Sequence, residues 1–261
     1  MTTMITGAAG FIGSHVARRL TARGDAVIGV DNFNDYYDPR RKHANVSDLI
    51  VRPNFTLAED DVRDDLTMLF DRHSVSTVIH LAAMAGVRNS VRAPSLYFEN
   101  NLFASQRLIE TARRHDVGNF VFASTSSVYG HTRKIPFLES DRCDNSLHPY
   151  AVSKRAAEQI GATYHRNYGL NFTALRLFTV FGPAGRPDMM PWLIANSIAT
   201  GESLPHYQGR FFRDWTFVDD IAGGIVAAAD RPLGFETINL GRGQPESLTR
   251  FIELMERHAG G

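Results

Sequence analysis

Short apolar runs alternate along this chain with longer stretches whose apolar residues recur every three to four positions, and polar or glycine-rich segments separate the two kinds. The short runs read as strands: one opening at Met1, then 26–30, 55–57, 77–81, 119–123, 171–177, 213–218 and 237–240. The longer ones read as helices over 11–20, 94–115, 150–168, 192–200, 219–229 and 248–258. Pro149 suits the first position of its helix, because a missing N–H costs nothing there. Asp64 is a candidate N-cap. Residues 32–39 read as a polar, aromatic loop stopped by Pro39. Strand and helix in strict alternation predict an α/β fold, a doubly wound parallel sheet. No repeat or linker interrupts it, so any second lobe is built from excursions after the sixth strand.

The first strand runs into Thr6-Gly7-Ala8-Ala9-Gly10-Phe11-Ile12-Gly13, from which a helix departs. In that context the glycines have separate uses. Gly7 takes the turn, Gly10 lets the backbone approach a pyrophosphate, and Gly13 lets the helix pack on the strand. The helix start at Phe11 and Ile12 offers free N–H groups to phosphate. The second strand ends at Asp31, eighteen positions after Gly13. A carboxylate there accepts both ribose hydroxyls and repels a 2′-phosphate, so the site reads as one for NAD in preference to NADP. The Rossmann-type unit is expected over 1–178, with returning segments near 213–240, and a smaller C-terminal substrate lobe over 179–261.

Charge and composition narrow the setting. Lys plus Arg equals Asp plus Glu at 28 each, which leaves no global field to attract nucleic acid or an anionic membrane. An apolar fraction of 43% supports a sizeable core. Cys143 stands alone, so no internal disulfide forms, and a reducing compartment fits. No apolar run is long enough to span a bilayer, and the chain opens on a strand pattern instead of a signal segment. A cytoplasmic location is expected, with no metal.

Two further stretches carry chemistry. The fourth strand ends in His80-Leu81-Ala82-Ala83, whose small residues leave room for a cofactor across the strand ends. His80 itself reads as a packed strand residue. The fifth strand runs into Ser124-Thr125-Ser126-Ser127, hydroxyls aimed at the same cleft. Tyr150 and Lys154 then stand four apart, on one helix face. A nearby ammonium favours phenolate, so Tyr150 is expected to have a pKa drawn down towards neutrality and to act as a general base on a sugar hydroxyl.

From Thr3 to about His258 the chain resembles the extended short-chain dehydrogenase/reductase family, the NAD-dependent sugar-nucleotide epimerases and dehydratases. Thr-Gly-x-x-Gly-x-x-Gly, Asp31, Asp61-Val62, His-Leu-Ala-Ala, Tyr-x-x-x-Lys and Arg213-Asp-x-Thr-x-Val-Asp-Asp carry the likeness. It implies a catalytic set of Thr125, Tyr150 and Lys154. On the cofactor side it implies Asp31 and Asn32 at the ribose, Asp61 and Val62 at the adenine, Phe178 near the nicotinamide, and Asn101. Arg213 would reach the substrate's diphosphate.

Residues 31–38, Ala85-Gly86-Val87-Arg88 and Gly185-Arg186-Pro187-Asp188-Met189 are similar to the branch of UDP-glucuronate 4-epimerases. Dehydratases and decarboxylases of the family carry an acid before Val-Tyr-Gly, where this chain has Ser127. The resemblance therefore implies a homodimeric isomerase that turns UDP-glucuronate into its 4-epimer through a 4-keto intermediate. Arg88, Ser126, Ser127, Thr179 and Arg186 are the candidates to hold the sugar carboxylate. The alternatives are a neutral-sugar 4-epimerase for UDP-glucose or UDP-N-acetylglucosamine, a UDP-glucuronate decarboxylase, and a non-catalytic NAD-sensing protein. Met84 departs from the polar residue usual in the branch. Family members continue several dozen residues past the position of Gly261, so the substrate lobe is expected to be short.

Overall fold

β1 (Thr2–Thr6) ends in the glycine turn, and α1 (Phe11–Arg23) leaves it. Gly24, at φ 97, closes α1 by returning its N–H to the carbonyls of Leu20 and Thr21. The structure is a computed structural model and describes residues 1–132, 134–203 and 211–259; the chain end at Gly261 lies outside them. After β2 (Ala26–Val30), Pro39 begins a helix where a stop was expected: α2 (Pro39–Val46) has Asp38 as its cap, accepting the N–H of Arg40. The ring fixes a helical φ, and its missing N–H is one the first turn leaves unpaired in any case. β3 (Phe55–Ala58) and α3 (Thr67–His73) follow. Asp64 is not the cap: Leu66 holds the N-cap position of α3 with no side-chain bond, and the N–H of Thr67 goes to the Asp65 carboxylate.

β4 (Val75–His80) leads to α4 (Val87–Arg92) and α5 (Pro94–Phe98). A wider π-type turn over Glu99–Phe103 then joins α5 to α6 (Ala104–Arg114), so the helix expected over 94–115 carries an extra residue in one turn. That turn buries Asn100 and Asn101. β5 (Asn119–Thr125) passes into one 3₁₀ turn, Ser126–Tyr129. Then come α7 (Pro149–Tyr168), β6 (Phe172–Leu177), β7 (Thr179–Phe181), α8 (Met190–Thr200) and β8 (Phe212–Phe217). The described chain closes with α9 (Val218–Ala229), β9 (Phe235–Leu240), β10 (Pro245–Ser247) and α10 (Leu248–Ala259).

Seven strands form one parallel sheet in the order β3-β2-β1-β4-β5-β6-β9. This is the Rossmann-type doubly wound arrangement, and its order reverses between β1 and β4, where such sheets open a crevice at their carboxyl ends. A second sheet, β10-β8-β7, stands apart. Only β9 of the region 213–240 rejoins the large sheet. At Phe178 the chain leaves β6 and enters β7, which pairs with β8, so β8 is drawn into the small sheet.

Strand periodicity sorts the core into two layers. Ile5, Ile79, Val121 and Leu175 face α1 and α9, while Met4, Val78, Phe120, Phe122 and Ala174 face α6 and α7. Gly161 of α7 sits against Phe172, whose ring atoms would lie 2.3 Å from an added Cβ. The close approach lets α7 lie flat on β5 and β6. Among the described residues no helix is long and apolar enough to cross a membrane.

His80 is fully buried, between the Thr6 hydroxyl at 2.6 Å and the Ser105 hydroxyl at 2.8 Å, as a packed strand residue should be. Burial, aided by the Lys154 charge, pushes its pKa down to about 3. The unfolded chain therefore binds a proton that the fold refuses as pH falls from about 6.5 to about 3. In that window the wild type is expected to lose roughly 4 kcal/mol relative to His80→Gln. Urea midpoints of both proteins across the window would check this, and parallel curves would refute it.

Candidate active site

The carboxyl ends of β1, β2, β4, β5 and β6 open into one cleft of ≈ 1150 Å³. Its floor at one end is the glycine turn. Gly7, at φ 72, stands so near β4 that a Cβ would lie 2.8 Å from the Ala82 nitrogen, and a Cβ on Gly13 would lie 2.0 Å from the Gly7 carbonyl oxygen. Those approaches fix glycine at both positions. Asp31, buried at the end of β2, accepts N–H bonds from Ala9 at 3.1 Å and Phe33 at 3.0 Å. Burial raises its pKa, with the Lys42 charge and the two backbone bonds opposing. A turn with no room for side chains, N–H groups at a helix start and a fixed carboxylate fit a dinucleotide.

Tyr150 enters the cleft at the first turn of α7. Its ring stacks at 6.1 Å against His148 and meets Tyr97 edge-on at 6.2 Å. Tyr97 is anchored by its hydroxyl to the carbonyls of Ala85 and Gly86. Thr125 neighbours the Tyr150 hydroxyl and caps the following 3₁₀ turn by accepting the Ser127 N–H at 3.1 Å. Burial raises the pKa of Tyr150; Thr125 and the Arg186 charge pull it down, and Tyr36 pushes it up. The expected lowering by Lys154 is thus not what the protein's own groups produce. Lys154 is itself so buried that its pKa drops to about 7, with Glu158 opposing, and its ammonium lies 4.6 Å from the centre of the Phe122 ring.

Behind these residues lies a buried ion pair. Arg176 of β6 donates to both oxygens of Glu158 at 3.0 and 2.9 Å, and Ser124 of β5 donates to the same carboxylate at 2.5 Å. Arg176 also reaches the Tyr129 hydroxyl, which donates to Asn239 of β9 at 2.6 Å. Tyr150, Lys154 and Glu158 stand at i, i+4 and i+8, so the pair sets how deep and at what rotation α7 lies on the sheet.

Most of the residues expected from the sequence line this cleft: Gly7, Gly10, Phe11, Ile12, Gly13, Asp31, Asn32, Val62, Leu81, Ala82, Ala83, Thr125, Ser126, Ser127, Tyr150, Lys154, Phe178, Thr179, Arg186 and Arg213. Three do not. Asp61 is turned to Arg63 and Asn32, which hold its pKa down to about 2. Asn101 braces the wall from behind, exchanging two hydrogen bonds with the Met84 backbone and donating to Ser153. Arg88 is exposed on α4 and does not line the cleft. Sequence reasoning missed Tyr36, Lys42 and His148 as lining groups. For Lys42 the signal was present, since Asp38-Pro39 is a helix start.

The model of the NAD dependent epimerase/dehydratase family matches residues 3–241. The chain belongs to that family. It is 42% identical to UDP-glucuronate 4-epimerase of Thermodesulfobacterium geofontis, over 98% of this chain and 80% of that one. It is 40% identical to UDP-glucuronate 4-epimerase 4 of Arabidopsis thaliana, where it again aligns over 98% of its length but spans only 63% of the relative's. A crystal structure of UDP-glucuronic acid 4-epimerase from Bacillus cereus with UDP-glucuronic acid and NAD superposes with a TM-score of 0.92 at 32% identity, covering 100% of this chain and 84% of that one.

The ion pair makes a prediction for this epimerase-family site. Glu158→Gln leaves the Arg176 charge buried without its partner, which should lower stability by about 3–5 kcal/mol. Adding Arg176→Met removes the stranded charge and should recover most of that loss. Denaturant midpoints decide it: a double variant no more stable than Glu158→Gln would contradict the account.

Proposed function

We propose that this chain is an NAD-dependent UDP-sugar 4-epimerase whose substrate is UDP-glucuronate. The observation that carries the reading is one continuous cleft with a dinucleotide turn at one end and Tyr150, Thr125 and the Arg186 cation at the other. The named activities of the relatives support it. Residues 1–178 with the returning β9 hold the dinucleotide, and 179–261 shape the sugar end. Asp31 favours NAD over NADP by like-charge repulsion of a 2′-phosphate.

Tyr150 takes the proton from the sugar's O4, and Thr125 fixes the phenol's hydrogen-bond direction while it does so. When bound, the oxidised dinucleotide supplies a positive charge near the phenol and reversible hydride acceptance at C4. The 4-keto sugar then turns, and Tyr150 returns its proton to O4 of the epimer. Lys154, which lines the cleft, donates to a ribose. Ser126, Ser127, Thr179 and Arg186 bind the C6 carboxylate, and Arg213 the diphosphate. A serine at 127 provides no acid or base for loss of water or carbon dioxide.

Incubation with UDP-glucuronate should give UDP-galacturonate by NMR, with no net change in NAD. Absence of any 4-epimer would sink the reading. Tyr150→Phe should keep NAD bound and lower turnover by about two to four orders of magnitude. Near-normal turnover would place the base elsewhere. Competition between NAD and NADP for the same variant tests Asp31's preference.

A cytoplasmic homodimer completes the proposal. Leu108 and Ile109 pack into the core, and Leu102, Ile160 and Tyr164 are half-buried against it. Phe103 is 56% exposed, and Val91, Leu96 and Val152 are exposed on the neighbouring helices α4, α5 and α7. Exposed apolar side chains on adjoining helices are what a second copy of the chain would cover. Light scattering at micromolar concentration should return twice the chain mass; a monomer mass would rule the dimer out.

A further inference from the structure

Arg186 is gripped along one edge. Its Nε and Nη2 donate to the two oxygens of Asp188 at 2.9 and 2.5 Å. Its Nη1 has no hydrogen-bond partner among the described residues. Burial pulls the guanidinium's pKa down, but the Asp188 bond and charge outweigh it and leave the arginine firmly cationic. The Asp188 carboxyl is correspondingly held below its ordinary range, burial notwithstanding.

Tyr36 completes the grip. The guanidinium carbon lies 5.4 Å from the centre of its ring. Its hydroxyl donates to Asp188 at 3.1 Å and accepts from Asn89 at 3.1 Å. A Cβ on Gly86 would stand 2.5 Å from that hydroxyl, so the contact depends on a glycine there. Tyr36 sits on the loop that begins at Asp31, while Arg186 and Asp188 sit on the loop between β7 and α8. The two loops therefore meet as a strap over the cleft, joining its dinucleotide end to its sugar end.

We propose that Tyr36 and Asp188 are positioning residues for substrate selection: they hold Arg186 so that its Nη1–Nη2 edge faces the C6 carboxylate of a uronic-acid nucleotide. This rests on the function proposed above. A planar guanidinium recognises a carboxylate by two parallel N–H bonds, so its selectivity depends on the orientation of its plane. An acid beside a carboxylate reader weakens the attraction for a second anion. What it provides is geometry: with the side edge occupied and one face on a ring, one edge is left to offer.

The test is a titration of the NAD-loaded protein with UDP-glucuronate and with UDP-glucose, read as the ratio of the two Kd values. Tyr36→Phe keeps the ring and drops the hydroxyl; Asp188→Asn keeps the shape and drops the charge. Each should reduce the preference for UDP-glucuronate about three- to tenfold, the loss of one hydrogen bond. In an Arg186→Met background each should change the ratio by less than about twofold, because both act through the arginine. Bound NAD and melting temperature check that each variant is folded. Unchanged ratios in the single variants overturn the strap, as does an equal effect with Arg186 absent. A preference that rises in Asp188→Asn also overturns it, since the acid would then act as a competing anion. A wild type with no preference between the two sugars removes the uronate reading and the strap with it, an outcome distinct from silent variants.

Discussion

Everything in the cleft depends on where α7 lies, and the buried Glu158–Arg176 pair is the interaction that decides this. Packing also holds the helix against the sheet: Gly161 admits the Phe172 ring, and Ala157 joins the same apolar layer. Apolar packing is non-directional, however, and tolerates sliding. A bidentate ion pair whose carboxylate also accepts from Ser124 and Arg155 does not. Because Ser124 belongs to β5, Arg176 to β6 and Asn239 to β9, one network ties three strands to the helix that carries Tyr150 and Lys154. The expense of burying two charges yields a fixed position for the reacting groups, which a hydrocarbon contact of equal volume would not.

The same pair reaches into the electrostatics of the cleft. Lys154 is buried deeply enough to lose its proton near neutrality, and the Glu158 carboxylate is the influence that opposes this. Tyr150 lies at the other end of the same helix face, raised by burial and drawn down by Thr125 and Arg186. Left to itself the protein keeps the phenol protonated. A base tuned this way is quiet until a cation lies beside it.

Legibility in the sequence followed the range of the physics. The glycine turn, Asp31 and the Tyr-x-x-x-Lys spacing were readable because each requirement is local: a turn without a Cβ, a strand end, one face of a helix. The parallel sheet was readable because its central strands β1, β4, β5 and β6 are buried on both faces and appear as short, largely apolar runs. Pro39 and Asp64 went astray over single residues, where a cap competes with a turn.

What the sequence by itself determined is the alternating fold, the dinucleotide turn and the set of groups able to do the chemistry. Only the tertiary structure decided how those groups act on one another. The strap of Tyr36, Asp188 and Arg186 joins residues about 150 positions apart, and Arg176 and Glu158 meet from different elements. The direction of the Tyr150 pKa belongs to the same class. Spacing predicted a neighbouring ammonium and hence a lowered value, but desolvation depends on how much protein surrounds the phenol, and no pattern along the chain encodes that.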